Sequence, residues 1–466
     1  MLKHKKVLNV FLLAMMNVAI ILSLRGIPLM AKEGVSMVFY LLFALLFFLI
    51  PTSLVSAELA TGWPEEGGVF HWVSEAFGER TGFLAIWLQW FQNIFWYPTI
   101  LAFAAGALAY FFLSPELATN PVFSLSVILV IYWSATWINM RGMQAAGWLS
   151  TTGAIIGTIL PAVLIIIFGL IWWGTGGELV FLESGKSWLP DFSQFSNLSF
   201  LAGIILLFAG MEVNAVHVND VKNPRRSYPL AIFISVIVIF LSFFFSSLAV
   251  AAVLPPSEIS LTAGMMQGFA EFLSIYNMGW LLPIIGLLAA YGAIGSVAAW
   301  VVGPSKGMLA TAKYGLIPPW LSHVNARGIP RNILITQGII ISLVSCLFLV
   351  TPTVGTAFFL LTDLAVILYL TMYILLFAAA IRLRYLAPKK RRPYKVPGGN
   401  WGIWVVGVIG ILGALFAIFV GFHPPDQLDY GSPVFYITFL VVGTVIGVSL
   451  PFILYGIKKP SWKRKR

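Results

Sequence analysis

Charged residues are scarce in this 466-residue sequence. Only 10% of its positions are Asp, Glu, Lys or Arg, whereas about a quarter are charged in an average soluble domain. Hydrophobic residues occupy 59% of the positions, which is more apolar surface than a water-soluble fold can bury. A bilayer accommodates such a chain, because its hydrocarbon core of about 30 Å takes roughly 20 apolar residues per helix. Each helix satisfies its own backbone, so the composition predicts an all-α membrane protein.

Cysteine is almost absent as well. Cys346 is the single cysteine and lies within an apolar run, which excludes an intramolecular disulfide and a thiolate metal cluster. The sequence also contains no Walker loop, no metal-binding pair of histidines and no recognisable set of nucleophile, base and acid. We therefore expect no enzyme activity, no ATP-driven step, no metal and no cofactor.

The net charge of +11 does not indicate nucleic-acid binding, because the basic residues lie in short segments between apolar runs. Twelve apolar runs are present, and we predict that each is a transmembrane span. They are residues 7–31, 36–58, 82–113, 122–140, 146–173, 197–218, 229–254, 278–305, 331–351, 355–381, 401–422 and 432–456.

The basic residues predict the orientation of these spans. Twelve spans place both termini on one side of the membrane. If that side is the cytoplasm, all 28 Lys and Arg residues except Arg25, Lys32 and Lys186 lie in inner segments, as the positive-inside rule requires. We expect the basic cluster at 389–392 to be a topology anchor beside anionic lipid.

Two of the predicted spans carry features that interrupt a helix. In the first span, Arg25 is followed by Gly26 and Pro28, a combination that disfavours continuous helix inside an apolar run. In the sixth span, Gly210 stands close to Glu212. Spans one and six lie five apart, as expected for two five-helix inverted repeats whose broken helices meet at mid-membrane. The alternative interpretation is that these residues only kink packed helices.

This pattern predicts the domain organisation. We expect a first inverted repeat at residues 1–175, with spans one to five, and a second at 196–385, with spans six to ten. Spans eleven and twelve occupy 400–457, and 458–466 form a basic cytoplasmic tail. The polar segment after span two resumes a helical pattern at 69–77, which predicts an amphipathic helix at the cytoplasmic surface.

Broken helices also predict a type of ligand. A break frees backbone N–H groups where one half-helix starts and carbonyl groups where the other half-helix ends. The N–H groups suit a carboxylate, and the carbonyl groups suit an ammonium. Two adjacent breaks therefore predict a site for a small zwitterion.

Three ionisable residues fall inside predicted spans, where a charge costs about 3 kcal/mol or more. Glu212, beside the break of span six, is interpreted either as a proton-linked gate or as a structural helix cap. Arg25 lies just outward of the first break and Asp363 lies in span ten, so we predict that they pair across the outer mouth when it closes. Glu58, at the inner end of span two, is interpreted as a helix-end packing group.

Other polar and aromatic side chains in the spans allow fewer assignments. Trp300, in span eight, is a candidate for the floor of a substrate cavity, whereas the several tryptophans of span three cannot be told apart. Asn214 and His217 are expected to make local hydrogen bonds, with a proton relay as the alternative for His217.

The run from Phe208 to Asp220, FAGMEVNAVHVND, resembles the amino acid, polyamine and organocation transporter superfamily. So does AELATGWPEEGGVFHWVSEAFG, from Ala57 to Gly78. Within that superfamily the sequence is most similar to bacterial glutamate/GABA-type antiporters, over nearly the whole chain. The resemblance implies a five-plus-five inverted repeat with two additional helices, and alternating access around a central site.

The resemblance also implies which residues bind the substrate and which residue gates the site. Glu212 matches the gating glutamate of the family. The residues at 22–25 stand where many relatives have a break of the glycine-serine-glycine type. The substrate-binding positions that match are Leu22, Ser23 and Leu24, Asn93 in WFQNI, Ala209, Gly210 and Met211, and Trp300 in GSVAAW.

We therefore predict a secondary active transporter of amino acids in the cell (inner) membrane, working either as an exchanger or with proton coupling. Its partners would be a small amino acid or amine, the lipid bilayer and, for a coupled carrier, protons. The first alternative is a polyamine or cationic-amine transporter, for which only Glu212 and Asp363 offer negative charge near the middle of the membrane. The more distant alternative is a membrane sensor that keeps the fold without transport.

Overall fold

The computed structural model describes residues 9–64, 67–183, 187–213, 221 and 224–463. Within these ranges every extended regular element is a helix. The principal helices are α1 Val10–Ile21, α2 Leu24–Ala31, α3 Gly34–Gly62, α4 Val69–Phe77, α5 Glu79–Phe111, α6 Pro121–Met140, α7 Ala146–Gly174, α8 Phe195–Leu207, α9 Arg226–Val253, α10 Gly264–Ile275, α11 Gly279–Tyr314, α12 Arg331–Val350, α13 Val354–Leu386, α14 Gly399–Gly421 and α15 Pro433–Gly456.

Ten helices in the described part of the chain are long and apolar enough to cross a membrane. They correspond to predicted spans two to five and seven to twelve. The first predicted span is the pair α1 and α2, which bends by 48° and makes an eleventh crossing if it is one span. The sixth begins with the shorter apolar helix α8 and continues into residues outside the described ranges, so the count of twelve stays a prediction. Helix α4 confirms the helix predicted at 69–77.

Helices α5 and α13 form the centre of the bundle. Both helices carry apolar and aromatic residues on all of their sides, and most side chains of the two helices are buried. Helix α15 is mostly exposed and carries apolar residues such as Val445 on its open face. Such a face is compatible with lipid and not with water. The two central helices are therefore available to line an internal site.

Helices α7 and α11 cross in direct backbone contact. Gly153 and Gly157 of α7 face Gly292 and Gly295 of α11. A Cβ atom added to Gly157 would lie 2.2 Å from the backbone nitrogen of Gly292, so no larger residue fits without movement. The segment of α7 at this crossing, Gly153–Ile159, is wound as a π-helix. The crossing fixes the position of α11, which carries Ser296 and Trp300.

Candidate functional site

The first predicted span is interrupted between Ile21 and Leu24. Helix α1 ends at Ile21, the N–H of Leu22 still bonds to Val18, and Ser23 is extended (φ −138°, ψ 126°). The backbone N–H groups of Ser23, Leu24 and Arg25 find no acceptor among the described residues. This result confirms the predicted break in span one, and it provides unpaired amide donors inside the bundle.

Carbonyl groups are exposed on the other side of the same break. In a continuous helix the carbonyl oxygens of residues 19–21 would accept from residues 23–25. Those N–H groups point elsewhere, and no other donor in the described part of the chain bonds to these carbonyl oxygens. The interruption of span one therefore exposes backbone hydrogen-bond donors and backbone hydrogen-bond acceptors only a few residues apart.

The start of span six is packed against this break. Helix α8 ends at Leu207, and Gly210 takes a positive φ of 121°, a conformation that favours glycine. A Cβ atom on Gly210 would lie 3.2 Å from both Ile20 and Trp300, and one on Gly26 would lie 2.2 Å from Leu207. The break in span one and the segment that follows helix α8 therefore lie side by side, and glycines permit their approach.

A cavity lies where these segments meet. Five of the residues selected from the sequence line it: Ser23, Arg25, Asn93, Ala209 and Trp300. A second, smaller cavity adjoins it and shares Ser23 and Ser296 with it.

The remaining selected residues lie around the cavity. Leu24 lines the smaller cavity. Leu22, Gly210 and Met211 are buried in the two interrupted segments and line neither cavity. The substrate-binding role predicted for these residues stays a prediction.

Glu212 lies outside the cavity wall and is connected to it by hydrogen bonds. Tyr369, which lines the cavity, donates to Oε1 of Glu212 at 2.5 Å, and Gln89 donates to the same oxygen at 3.0 Å. Tyr373 donates to Oε2 at 2.5 Å, and its hydroxyl also accepts the N–H of Gly210 at 2.8 Å. The carboxylate therefore holds two tyrosines of α13 against the interrupted part of span six.

Asn93 presents one polar atom without a partner. Its Nδ2 donates to the Gln89 carbonyl one turn earlier at 2.8 Å. Its buried Oδ1 accepts no hydrogen bond from any described residue, although Asn93 lines the cavity. A buried acceptor of this kind is costly unless a ligand or water donates to it.

The family of the chain follows from comparison with known proteins. A family model described as amino acid permease matches residues 7–446. The chain belongs to the amino acid permease family.

Individual relatives of this permease cover most of its length. An uncharacterized transporter of Legionella pneumophila is 42% identical over 449 residues, 96% of each chain. A glutamate/gamma-aminobutyrate antiporter of Lactococcus lactis is 35% identical over 461 residues, 97% of the permease and 91% of the antiporter. A probable agmatine/putrescine antiporter of the same species is 26% identical over 373 residues, 79% and 78% of the two chains. These likenesses confirm a multi-pass membrane transporter and not an enzyme.

Arg25 and Asp363 make separate contacts in the permease. Nη1 of Arg25 donates to the hydroxyls of Thr99 at 3.0 Å and Thr362 at 3.4 Å. Asp363 accepts a short hydrogen bond from Tyr436 of α15. No ion pair joins Arg25 to Asp363 in the part of the chain that the structure describes. Their pairing in a closed outer mouth stays a prediction.

Glu58 makes more contacts than a helix-end packing group would need. Its two carboxylate oxygens accept from Nε and Nη2 of Arg384 at 2.5 and 2.6 Å, and Oε2 also accepts the N–H of Val396 at 2.8 Å. Nε of Arg392 lies 3.4 Å from Oε1. Burial, followed by the charge of Glu58, raises the pKa of Tyr394 in the same loop to about 12. This buried cluster ties α3 to the end of α13 and to the following loop.

Four polar or aromatic cavity residues were missed by the sequence interpretation, namely Gln92, Trp96, Ser296 and Tyr369. Trp96 lies three residues after Asn93, and its ring centroid is 5.6 Å from that of Trp300. Helical spacing from Asn93 indicates Trp90 and Trp96 equally, so the sequence does not distinguish them. Ser296 and Tyr369 carry no such signal in the sequence. The predicted hydrogen bonds of Asn214 and His217 fall outside the described residues.

Proposed function

We propose that this permease exchanges amino acids across the cell membrane by alternating access around the cavity between its interrupted segments. The observation that carries the proposal is the contact between the break in span one and the end of helix α8, beside a cavity lined by Ser23, Asn93 and Trp300. The glutamate/gamma-aminobutyrate antiporter at 35% identity supports exchange as the mode of transport.

The backbone groups of the first break fit the two ends of a zwitterion. The unpaired N–H groups of residues 23–25 would bind the α-carboxylate, and the carbonyl oxygens of residues 19–21 would bind the α-ammonium. The unpaired Oδ1 of Asn93 offers a further acceptor for the ammonium. Trp96 and Trp300 would pack against the substrate and limit its size.

Glu212 would gate the site through its tyrosines. While its carboxylate accepts from Tyr369 and Tyr373, the hydroxyl of Tyr373 stays bonded to the N–H of Gly210. Movement of Glu212, or its protonation, would release both tyrosines and free Gly210 to bind the substrate. In this proposal protons affect the gate, whereas exchange itself does not require a proton gradient.

The membrane arrangement proposed here has twelve spans, with five-plus-five inverted repeats at 1–175 and 196–385. Spans eleven and twelve lie at 400–457, and both termini are cytoplasmic. The ten candidate crossings, the bent pair α1 and α2, and helix α8 support this count. The basic residues of the predicted inner loops support the orientation.

A polyamine or cationic-amine carrier is the second candidate, because a probable agmatine/putrescine antiporter is 26% identical. The charge of the cavity argues against it. Arg25 lines the cavity, and Glu212 has donors on both of its oxygens. A dicationic substrate would therefore be repelled by the guanidinium of Arg25, and no carboxylate among the residues that line the cavity would offset this repulsion.

Counterflow in proteoliposomes tests the proposal. Vesicles loaded with unlabelled amino acid should accumulate the radiolabelled amino acid, without any imposed proton gradient. Uptake that appears only with a proton gradient would contradict exchange. No uptake of any amino acid or amine would leave the membrane-sensor alternative.

Gly210→Ala provides the structural arm of this test. Its Cβ atom would lie 3.2 Å from Ile20 and Trp300, at a backbone φ of 121° that alanine rarely adopts. Exchange should therefore fall by at least about ten-fold, as expected for a cost of roughly 1.4 kcal/mol or more. Gly176→Ala is the matched control, because Gly176 also has a positive φ of 78° and has open space around it. Equal losses in the two variants would contradict a role for the break.

A further inference from the structure

Arg25 carries a charge for which the described residues supply no partner of opposite sign. The side chain is 2% exposed and lies inside a membrane span. Its contacts are the two neutral hydroxyls on Nη1 and the face of Phe358, 5.6 Å from the ring centroid. Nε and Nη2 have no hydrogen-bond partner among the residues that the structure describes. A guanidinium has five N–H donors, so most of its donor capacity is unused.

The carboxylates of the neighbouring helices do not meet this demand. Both oxygens of Glu212 accept from Gln89 and the two tyrosines of α13. Asp363 follows Thr362 in α13, but adjacent residues of a helix point about 100° apart. Its side chain is bonded to Tyr436 of α15 instead. Since no described carboxylate pairs with Arg25, a bound substrate is the source of the anion that we consider for it in this conformation.

Arg25 lies where a substrate could supply that anion, because its side chain lines the main cavity. The α-carboxylate and α-ammonium have other partners in the proposed binding mode, namely the backbone groups on the two sides of the break. Arg25 is hydrogen-bonded to Thr99, which lies six residues after Asn93 on α5. Six residues correspond to about 9 Å along the helix axis. Arg25 is thus placed to contact the far end of a bound substrate.

We propose that Arg25 is the specificity-determining residue of this permease and binds an anionic group on the substrate side chain. The preferred substrate class is then an amino acid with an acidic side chain, and cationic amines are rejected. This inference rests on the exchange function proposed above. Arg25 acts here through direct contact with the substrate, which differs from a closing latch between Arg25 and Asp363.

The test compares glutamate with its neutral isostere glutamine, as radiolabelled substrates for counterflow. Wild-type permease should half-saturate with glutamate at a concentration at least about ten-fold lower than with glutamine, because charged hydrogen bonds are the strong ones. Arg25→Gln should remove this difference, because it should weaken glutamate at least about ten-fold more than it weakens glutamine. Arg25→Lys keeps the charge without the planar fork and should retain part of the preference. Putrescine should not exchange with wild-type permease.

Several outcomes would overturn the inference. A wild-type protein with no preference for glutamate would do so, and so would an equal loss of both substrates in Arg25→Gln. If Arg25 served only as a latch, Arg25→Gln and Asp363→Asn would impair both substrates alike. If an inorganic anion occupied Arg25, replacing chloride by gluconate would change glutamine exchange, whereas our proposal expects no change.

Two further measurements separate failure of this inference from failure of folding or of the proposed function. Protection against thermal unfolding by glutamate and by glutamine reports binding without transport. In Arg25→Gln, glutamate should no longer protect against unfolding, whereas glutamine still should. If neither ligand protects the wild-type protein, the inference is overturned. Wild-type exchange of glutamine but not glutamate overturns the inference alone. Absence of all exchange overturns the proposed function and this inference with it.

Discussion

Replacing Tyr373 with phenylalanine removes one oxygen atom that serves two partners. The hydroxyl donates to Oε2 of Glu212 and accepts the N–H of Gly210. Phenylalanine fills the same space, so the substitution leaves no large cavity. Tyr369→Phe is a close comparison, because that hydroxyl also donates to Glu212, while Oε1 keeps a second donor in Gln89.

The magnitudes of the two substitutions follow from these contacts. Tyr369→Phe removes one hydrogen bond and leaves no backbone group unpaired, which costs about 1 kcal/mol. Tyr373→Phe removes a hydrogen bond of the same kind and also strands the buried N–H of Gly210, which adds about 1 to 3 kcal/mol. The free energy of unfolding should therefore fall by about 2 to 4 kcal/mol in Tyr373→Phe. The amount by which this loss exceeds that of Tyr369→Phe is the contribution of the hydrogen bond from the N–H of Gly210 to the Tyr373 hydroxyl.

Thermal or denaturant unfolding of the purified variants in detergent tests whether Tyr373→Phe loses more stability than Tyr369→Phe. Counterflow adds a functional readout, because the freed N–H of Gly210 lies next to the cavity. We expect Tyr373→Phe to change the half-saturating substrate concentration more than Tyr369→Phe does. Equal stability losses in the two variants, or a larger loss in Tyr369→Phe, would refute the assignment of Tyr373 as the cap of the span-six break.

Two further predictions concern the packing around the site. Glu58→Gln should destabilise the protein by about 3 kcal/mol or more, because it leaves the buried guanidinium of Arg384 without its carboxylate, and unfolding measurements should detect this. A loss below about 1 kcal/mol would mean that the ion pair is dispensable. Gly157→Ala should cost about 1 to 3 kcal/mol and reduce exchange, since its Cβ atom would meet the backbone of Gly292 at 2.2 Å. Gly147→Ala on the same helix has open space and is the control, so similar losses would exclude the close crossing as the cause.

Local sequence features were sufficient to find part of the site. Ser23, Asn93, Ala209 and Trp300 were selected from the sequence, and all four line the cavity. Helix-breaking residues inside an apolar run are visible in a linear sequence, because continuous helix is the only other state that the membrane permits there. The family resemblance added Asn93 on span three and matched Trp300 on span eight, two positions that no break marks.

The contacts of ionisable residues could not be predicted from local sequence features. Glu58 was interpreted as a packing group, yet it forms a bidentate ion pair with Arg384, 326 residues away in the chain. Arg25 was predicted to pair with Asp363 when the outer mouth closes; in this structure its hydrogen bonds go to Thr99 and Thr362, which the sequence did not indicate. A charge pattern indicates that a buried group needs a partner, but it does not indicate which of several helices will supply one.

Composition and periodicity by themselves determined that this chain is a helical membrane protein with an interrupted first span, because apolar run length and helix-breaking residues act within one segment. The tertiary structure decided which side chains share the cavity, that Tyr373 caps Gly210, and that no described carboxylate pairs with Arg25. These features depend on the rotation and spacing of helices far apart in the chain. Glycine contacts between helices, such as Gly157 with Gly292, set that spacing, and a linear sequence does not show which glycines will meet.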